Sequence, residues 1–309
     1  MHASLMKAVI CRAYGPPDVL QLIQLPVPQP RDHELLVRVR ASSVNSGDVR
    51  IRSLGVPPLA RPFMRLALGW SRPRQPIPGI VFAGTVEQTG AKVTQFRPGD
   101  QVYGLRGIRM GAYADYLCVA QKSMVARMPA NATFGEAAAL PFGGHTALHF
   151  LQKASLPARP NARVLVYGAT GAVGTAALQL ARHWGARVTA VCRAAGRDLV
   201  TRLGAADTIA YDQEDFTQTP GRFDLIFDAV GKTSRRQCAH LLAAGGRWCT
   251  VGGLEVANEK KEQLELLRDL YEQGHYQAVI DRVYPLEEIV EAHRYVDTGR
   301  KQGNVVVEL

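Results

Sequence analysis

The stretch "RVLVYGATGAVGTAALQLARHWGARVTAVCR", residues 163–193, decides how this chain is read. It opens with a short apolar run of strand length, passes three evenly spaced glycines, continues with helical periodicity and closes on a second apolar strand. Each glycine has a physical reason to be there. Gly168 allows a sharp turn out of the strand, Gly171 lets a ligand approach bare backbone, and Gly174 lets the helix press against the sheet. Ala169, Thr170, Ala172 and Val173 fill the rest of the turn with small side chains. A glycine turn between a strand and a helix presents free N–H groups at the positive end of the helix, which suits the pyrophosphate of a dinucleotide.

The second strand of this unit ends at "VCRAAGR". A carboxylate there would bond the ribose 2′-hydroxyl of NAD. Arg193 stands there instead, with Arg197 nearby, and suits a 2′-phosphate. This pattern favours NADPH over NADH; the alternative is that Arg193 is a solvated surface charge. Tyr211, at the end of the third strand, is placed either against the adenine ribose or as an ordinary core or surface tyrosine.

Outward from this unit, strands and helices alternate. "RDLVTRL", "DTIAY", "FDLIFDAV", "SRRQCAHLLAA" and "GRWCTVG" read as helix, strand, strand, helix and strand, implying an α/β domain with a parallel sheet covered on both faces. At "TFGEAAAL", Thr133 and Glu136 have capping-box spacing and start a helix. Before residue 133 the chain reads as short strands and turns. After the parallel unit come an amphipathic helix, "EKKEQLELLRDLYEQG", a strand-like "QAVIDRVYP", a helix, "LEEIVEAHRYVDTG", and a last strand, "NVVVEL". The segment "RSLGVPPLARPFMRLALGWSRPRQPIPG" is basic with an apolar middle. It reads as a short helix in a loop, either lining a site or forming a surface insertion.

The totals bound the function. A chain of 309 residues is long enough for two domains, and 47% hydrophobic with 21% charged residues fits a soluble globular fold. No apolar run reaches the ~20 residues needed to cross a bilayer. The start does not read as a signal peptide. Five cysteines, at 11, 118, 192, 238 and 249, form no C-x-x-C and suggest reduced thiols and a cytoplasmic setting. The net charge of +10 is spread over scattered arginines rather than a basic run, so nucleic acid is not expected as a partner, and with no spanning run a membrane is not expected either.

With these residues in view, the sequence resembles the medium-chain dehydrogenase/reductase superfamily, in its zinc-independent quinone oxidoreductase-like branch. The resemblance rests on "MKAVICRAYGPPDVLQL", "ASSVNSGDVR", "FRPGDQVYG", "EAAALPFGGHTAL", "GATGAVG", "LGAADTIAYDQEDF", "FDAVGKTS" and "YPLEEIVEAHRYVDTGRKQGNVVV". It implies a GroES-like β-rich domain over 1–132 and 280–309, and a Rossmann doubly wound domain over 133–279. It further implies that Thr146 meets the nicotinamide end of the cofactor and that Asn45 sits near the nicotinamide ribose and the substrate. Val230, Val251 and Gly252 would offer backbone at the strand ends. Zinc-dependent relatives carry a Cys in the stretch matching "SSVNSGD" and a His–Glu pair near "PGIVFAG", and neither is present here. His145 and His149, four residues apart, lack a third ligand beside them and read as packing or cofactor-adjacent residues. The implied activity is NADPH-dependent hydride transfer to a small-molecule electron acceptor, a quinone or activated enone.

Two departures stand out. Relatives carry an acid in "G-x-D-x-A-G", where this chain has Val81. After Gly253 only "LEVANEKKEQ" precedes Leu264, too few residues for another strand and helix of ordinary length, so the sixth Rossmann strand is expected to be missing. That edge often pairs two subunits in the family, so a monomer or an atypical dimer is expected. The loss also leaves open an alternative, an NADPH-binding sensor with impaired turnover.

Overall fold

In the computed structural model, residues 4–55, 61–253, 255–258 and 260–309 are described. The chain first forms a hairpin of β1 (Leu5–Cys11) and β2 (Leu20–Pro26). It continues through β3 (Glu34–Val44), α1 (Ser46–Ser53), α2 (Arg61–Leu68), β4 (Val81–Thr89), β5 (Gln101–Leu105), β6 (Tyr116–Ala120) and β7 (Val125–Arg127). Helices α3 (Phe134–Ala139) and α4 (Pro141–Lys153) lead into the parallel unit. That unit comprises β8 (Arg163–Tyr167), α5 (Ala172–His183), β9 (Arg187–Cys192), α6 (Arg197–Arg202), β10 (Asp207–Ala210), β11 (Phe223–Asp228), α7 (Arg235–Cys238) and β12 (Leu242–Thr250). Then follow α8 (Lys261–Glu272), β13 (Ile280–Pro285), α9 (Ile289–Asp297) and β14 (Asn304–Glu308).

Two main sheets result. The first has seven strands in the order β13-β14-β3-β4-β5-β7, with β6 also paired to β3. The last strand, β14, runs antiparallel to β3, so the end of the chain folds back into the sheet built by its beginning. The second sheet is wholly parallel, in the order β10-β9-β8-β11-β12. The strand order turns back between β8 and β11, which is where a doubly wound sheet opens a crevice at its carboxyl edge. Both faces of this sheet are buried: Leu165, Phe227 and Ile226 are fully enclosed, each contributing roughly 1.5–3 kcal/mol.

Local chemistry explains the element boundaries. The Thr133–Glu136 capping box forms as its spacing predicts, with both reciprocal bonds made. α3 packs on β3, β4 and β14, whereas α4 packs on α5 and α8. One expectation needs correction. The helix read into "SRRQCAHLLAA" is only the short α7 and a 3₁₀ turn to Leu241, because β12 already begins at Leu242. Gly245, at φ +73°, and the register shift against β11 make the start of β12 irregular, so its pattern does not read as a strand. Among the described residues the parallel sheet ends at β12, with no sixth strand.

Candidate active site

The glycine turn has the conformation its residues demand. Gly168 sits at φ +77°, and any side chain there would collide with Val230. A methyl group on Gly174 would run into the Gly168 carbonyl oxygen and come within 2.7 Å of the Ala169 Cα. Gly171 is the N-cap of α5 and offers no side chain to the turn. Its own N–H is spent on the Gly168 oxygen at 3.1 Å, and Thr175 N–H on the Gly171 oxygen at 2.8 Å. The N–H groups of Ala172, Val173 and Gly174 have no partner among the described residues. Three bare amides at a helix start form an anion site.

This turn lies where the two sheets meet. Gly303, just before β14, donates its N–H to the Thr170 oxygen at 2.6 Å and forms a bridge with Gly171. Gly143 of α4 packs so closely on Ala172 that a Cβ would strike its carbonyl. A Cβ on Gly47 of α1 would come within 3.2 Å of the Phe142 ring. A continuous chain of contacts thus runs from Asn45 and α1, through the start of α4, to the glycine turn.

Asn45 caps α1. Its Oδ1 accepts from Gly47 N–H at 2.9 Å and Asp48 N–H at 3.2 Å. Its Nδ2 is buried and has no partner among the described residues, an unspent donor at a position otherwise fully used. Asp48 completes the box. One oxygen accepts from Asn45 N–H at 3.1 Å and the other from Ile80 N–H at 3.1 Å. Burial pushes its carboxyl up to about 7, against the lowering effect of these amides. Thr146, half-buried on α4, donates its hydroxyl to the Phe142 oxygen at 2.8 Å, so its oxygen is left to accept.

At the ends of β11 and β12 the backbone is differently available than expected. Val230 N–H bonds the Asp228 carboxylate, Val251 N–H the Asp228 carbonyl, and Gly252 N–H the Thr250 hydroxyl. The donors of Val230, Val251 and Gly252 are therefore engaged, and only their carbonyls remain to offer. Asp228 organises this corner and was not singled out from sequence. It is fully buried and also accepts from Gly231, Thr233 and Thr250. Its signal was the Asx-turn chemistry of an Asp just ahead of "VGKTS".

Arg193 and Tyr211 are brought together: the Arg193 Nε donates to the Tyr211 hydroxyl at 3.0 Å, and Tyr211 stacks on Tyr167. Arg197 reaches Glu214 at 3.2 Å, leaving its buried Nε without a partner among the described residues. The acid missing from the end of β9 has a counterpart beyond β10. Asp212 accepts from Ala194 N–H at 2.9 Å, and Asp212, Glu214 and Asp215 line a 470 Å³ cleft with Tyr167 and Tyr211. Sequence spacing could not show this convergence.

Another unforeseen neighbour is Lys301. Its Nζ donates to the Gly303 oxygen at 2.6 Å, beside the glycine turn, and burial lowers its ammonium to about 8. Val81 is sealed within β4, and its carbonyl accepts from the Ser42 hydroxyl at 2.6 Å. His149 lies against Glu255 at 2.9 Å, while His145 is buried in α4. No group of three His, Cys, Asp or Glu side chains among the described residues could hold a metal ion.

Residues 31–130 match the alcohol dehydrogenase GroES-like domain, and residues 172–285 the zinc-binding dehydrogenase family. The chain is 32% identical to the 2-methylene-furan-3-one reductase of Solanum lycopersicum, over 98% of this chain and 79% of that protein. It is 29% identical to the chloroplastic NADPH-dependent alkenal/one oxidoreductase of Arabidopsis thaliana, with the same coverage. Its fold superposes on the quinone oxidoreductase of Coxiella burnetii with a TM-score of 0.87 at 27% identity, covering 99% of this chain and 100% of the other.

Proposed function

Because the chain belongs to the medium-chain dehydrogenase/reductase superfamily, in its quinone oxidoreductase-like branch, we propose that it is an NADPH-dependent reductase of quinones or α,β-unsaturated carbonyls that works without zinc. The observation that carries this reading is the uncapped first turn of α5, set at the junction of the two sheets. NADPH supplies the hydride when bound. The residues of this chain hold and orient it. The amides of Ala172, Val173 and Gly174 take the pyrophosphate, with Gly168, Ala169, Thr170 and Gly171 shaping the turn beneath it. Arg193, Arg197 and Tyr211 take the 2′-phosphate. Thr146 Oγ1 and the carbonyls of Val230, Val251 and Gly252 accept from the carboxamide. Asn45 Nδ2 donates to the ribose or to the acceptor carbonyl.

Both Asp48 oxygens accept backbone amides inside a buried capping box, and we assign protonation of the product to water. The stretch that carries a zinc-ligating Cys in zinc-dependent relatives holds Ser42, Ser43 and Asn45 here, which supports a metal-free reaction. A second reading, an NADPH-binding sensor, draws on the exposure of Gly252 and Gly253, which leaves that end of the site open. Since no strand follows β12 in the parallel sheet among the described residues, and the family resemblance makes that edge a frequent place of subunit pairing, we also propose a monomer or an atypical dimer.

Titration with NADPH and NADH, followed by nicotinamide fluorescence, tests the cofactor assignment. Arg193→Ala should weaken NADPH about 10–100-fold and NADH little, the loss of one or two charge-assisted bonds. An unchanged preference removes Arg193 from the site, and absence of NADPH binding removes the enzyme reading. Binding without NADPH oxidation across quinones, enones and alkenals would favour the sensor.

A further inference from the structure

The basic segment between α1 and β4 presents a face that the reductase reading leaves unused. On α2, Phe63 and Leu66 lie one turn apart, and Trp70 stands two residues past the helix end; they are 74%, 68% and 68% exposed. The i, i+3 spacing puts Phe63 and Leu66 on one side of a short helix, and the chain turns at Gly69, φ +127°, before Trp70. The element is anchored rather than frayed. Leu68 is buried, Tyr14 donates to the Gly69 carbonyl at 2.8 Å, and Arg74 N–H donates to the Leu68 carbonyl at 2.6 Å.

The charge around this face has one sign. Arg61, Arg65, Arg72 and Arg74 surround it, and no Asp or Glu occurs between Asp48 and Glu87. None of the four arginines has a carboxylate partner among the described residues. The Arg65 guanidinium lies 5.9 Å from the Trp70 ring centre, an arrangement in which the cation and the aromatic share one patch.

We propose that this face docks on an anionic lipid surface, with Phe63, Leu66 and Trp70 entering the headgroup–acyl boundary and the four arginines meeting lipid phosphates. A helix with Phe and Leu on one side, a Trp held beside it by Arg65 and further arginines nearby has the composition of an interfacial element. A second copy of this chain is a poorer occupant, because a two-fold contact would set four arginines against four arginines with no acid in the patch. The expectation of no membrane partner rested on the lack of a spanning segment. Among the described residues no helix is long and apolar enough to cross a membrane, but surface docking requires none. The proposal is independent of the redox reading and is tested without cofactor.

The full chain is sedimented with vesicles of phosphatidylcholine alone or mixed with phosphatidylglycerol, at low and high salt. It should partition onto the mixed vesicles, more weakly as salt rises, with a blue-shifted tryptophan emission that Trp70→Phe removes. Phe63→Glu combined with Leu66→Glu, two exposed positions, should keep the thermal midpoint and lower partitioning at least about tenfold. Arg61→Gln with Arg65→Gln should lower it on mixed vesicles as well. No partitioning of the parent protein overturns the proposal. So does partitioning that ignores the Phe63/Leu66 change, which would place binding on other basic residues. Concentration-dependent dimers that the same double variant abolishes, with no vesicle binding, would assign the face to a second copy.

Discussion

Replacing His293 with leucine should flatten the acid side of the stability profile. His293 on α9 is fully buried, and neither ring nitrogen has a partner among the described residues. Its ring meets Tyr113 edge-on, 5.8 Å between centres. Burial first, and the nearby Arg52 guanidinium second, lower its imidazole to about 3 from an ordinary 6.5. Between those values the unfolded chain binds a proton and the folded one does not. Stability is therefore complete above pH 6.5 and falls as pH drops towards 3, by roughly 1.4 kcal/mol per pH unit and about 5 kcal/mol in all. A loss of that size rivals a typical domain's whole stability of about 5–15 kcal/mol. Asp48 acts with the opposite sign. Its carboxyl, raised to about 7 in the fold, binds a proton that the unfolded chain has lost, so acidification from 7 towards 4 adds stability. The two contributions offset in the parent protein, and only the difference between parent and variant isolates the histidine. Urea unfolding followed by fluorescence at a series of pH values between 7.5 and 4.5 supplies it. The variant should match or exceed the parent at pH 7.5 and pull ahead by roughly 1.4 kcal/mol for each unit below 6.5. A difference that stays constant with pH refutes the argument, because His293 would then titrate alike in both states.

Gly174→Ala should abolish measurable dinucleotide binding and lower the thermal midpoint, since the added methyl overlaps the Gly168 carbonyl and must displace α5 from β8; wild-type NADPH affinity in the variant would contradict the packing role. The thiols should be slow. Burial raises Cys249 to about 12 and Cys118 to about 11, and Cys11, Cys192 and Cys238 upward as well. A colorimetric thiol reagent at pH 7.5 should therefore label all five only after denaturation, and fast native labelling of any one would disprove its enclosure.

What the sequence disclosed follows from how local each constraint is. Gly168 and Gly174 were legible because only glycine satisfies a positive φ or a carbonyl at contact distance. The Thr133 box was legible because both partners lie within one turn. The contact between Gly303 and Thr170 joins residues far apart in the chain, and nothing at either position signals the other. The same holds for Asp212 and Glu214, which arrive beside Ala194 and Arg197 only once β9 and β10 are paired. The roles of Val230, Val251 and Gly252 came from resemblance, and their spent N–H groups became visible only with Asp228 in place.

Among the described residues no strand follows β12 in the parallel sheet, and this leaves an edge to account for. Among the described residues β12 pairs only with β11, yet its free edge is not a regular template for another chain. Gly245 adopts a left-handed conformation, the register jumps between Phe223 and Leu225, and Arg247 bonds the Lys153 carbonyl at 3.0 Å. Bulges and charges of this kind discourage edge pairing. The chain then turns towards α4 instead of extending the sheet. Glu255 meets Lys153 at 2.6 Å and His149 at 2.9 Å, and Asn258 N–H reaches the same imidazole at 3.3 Å. Exposed ion pairs of this type contribute little stability, so their effect is positional. His149 lies one turn beyond Thr146 on α4. The ion pair and the hydrogen bond thus fasten Glu255 and Asn258 to α4 within a turn of Thr146.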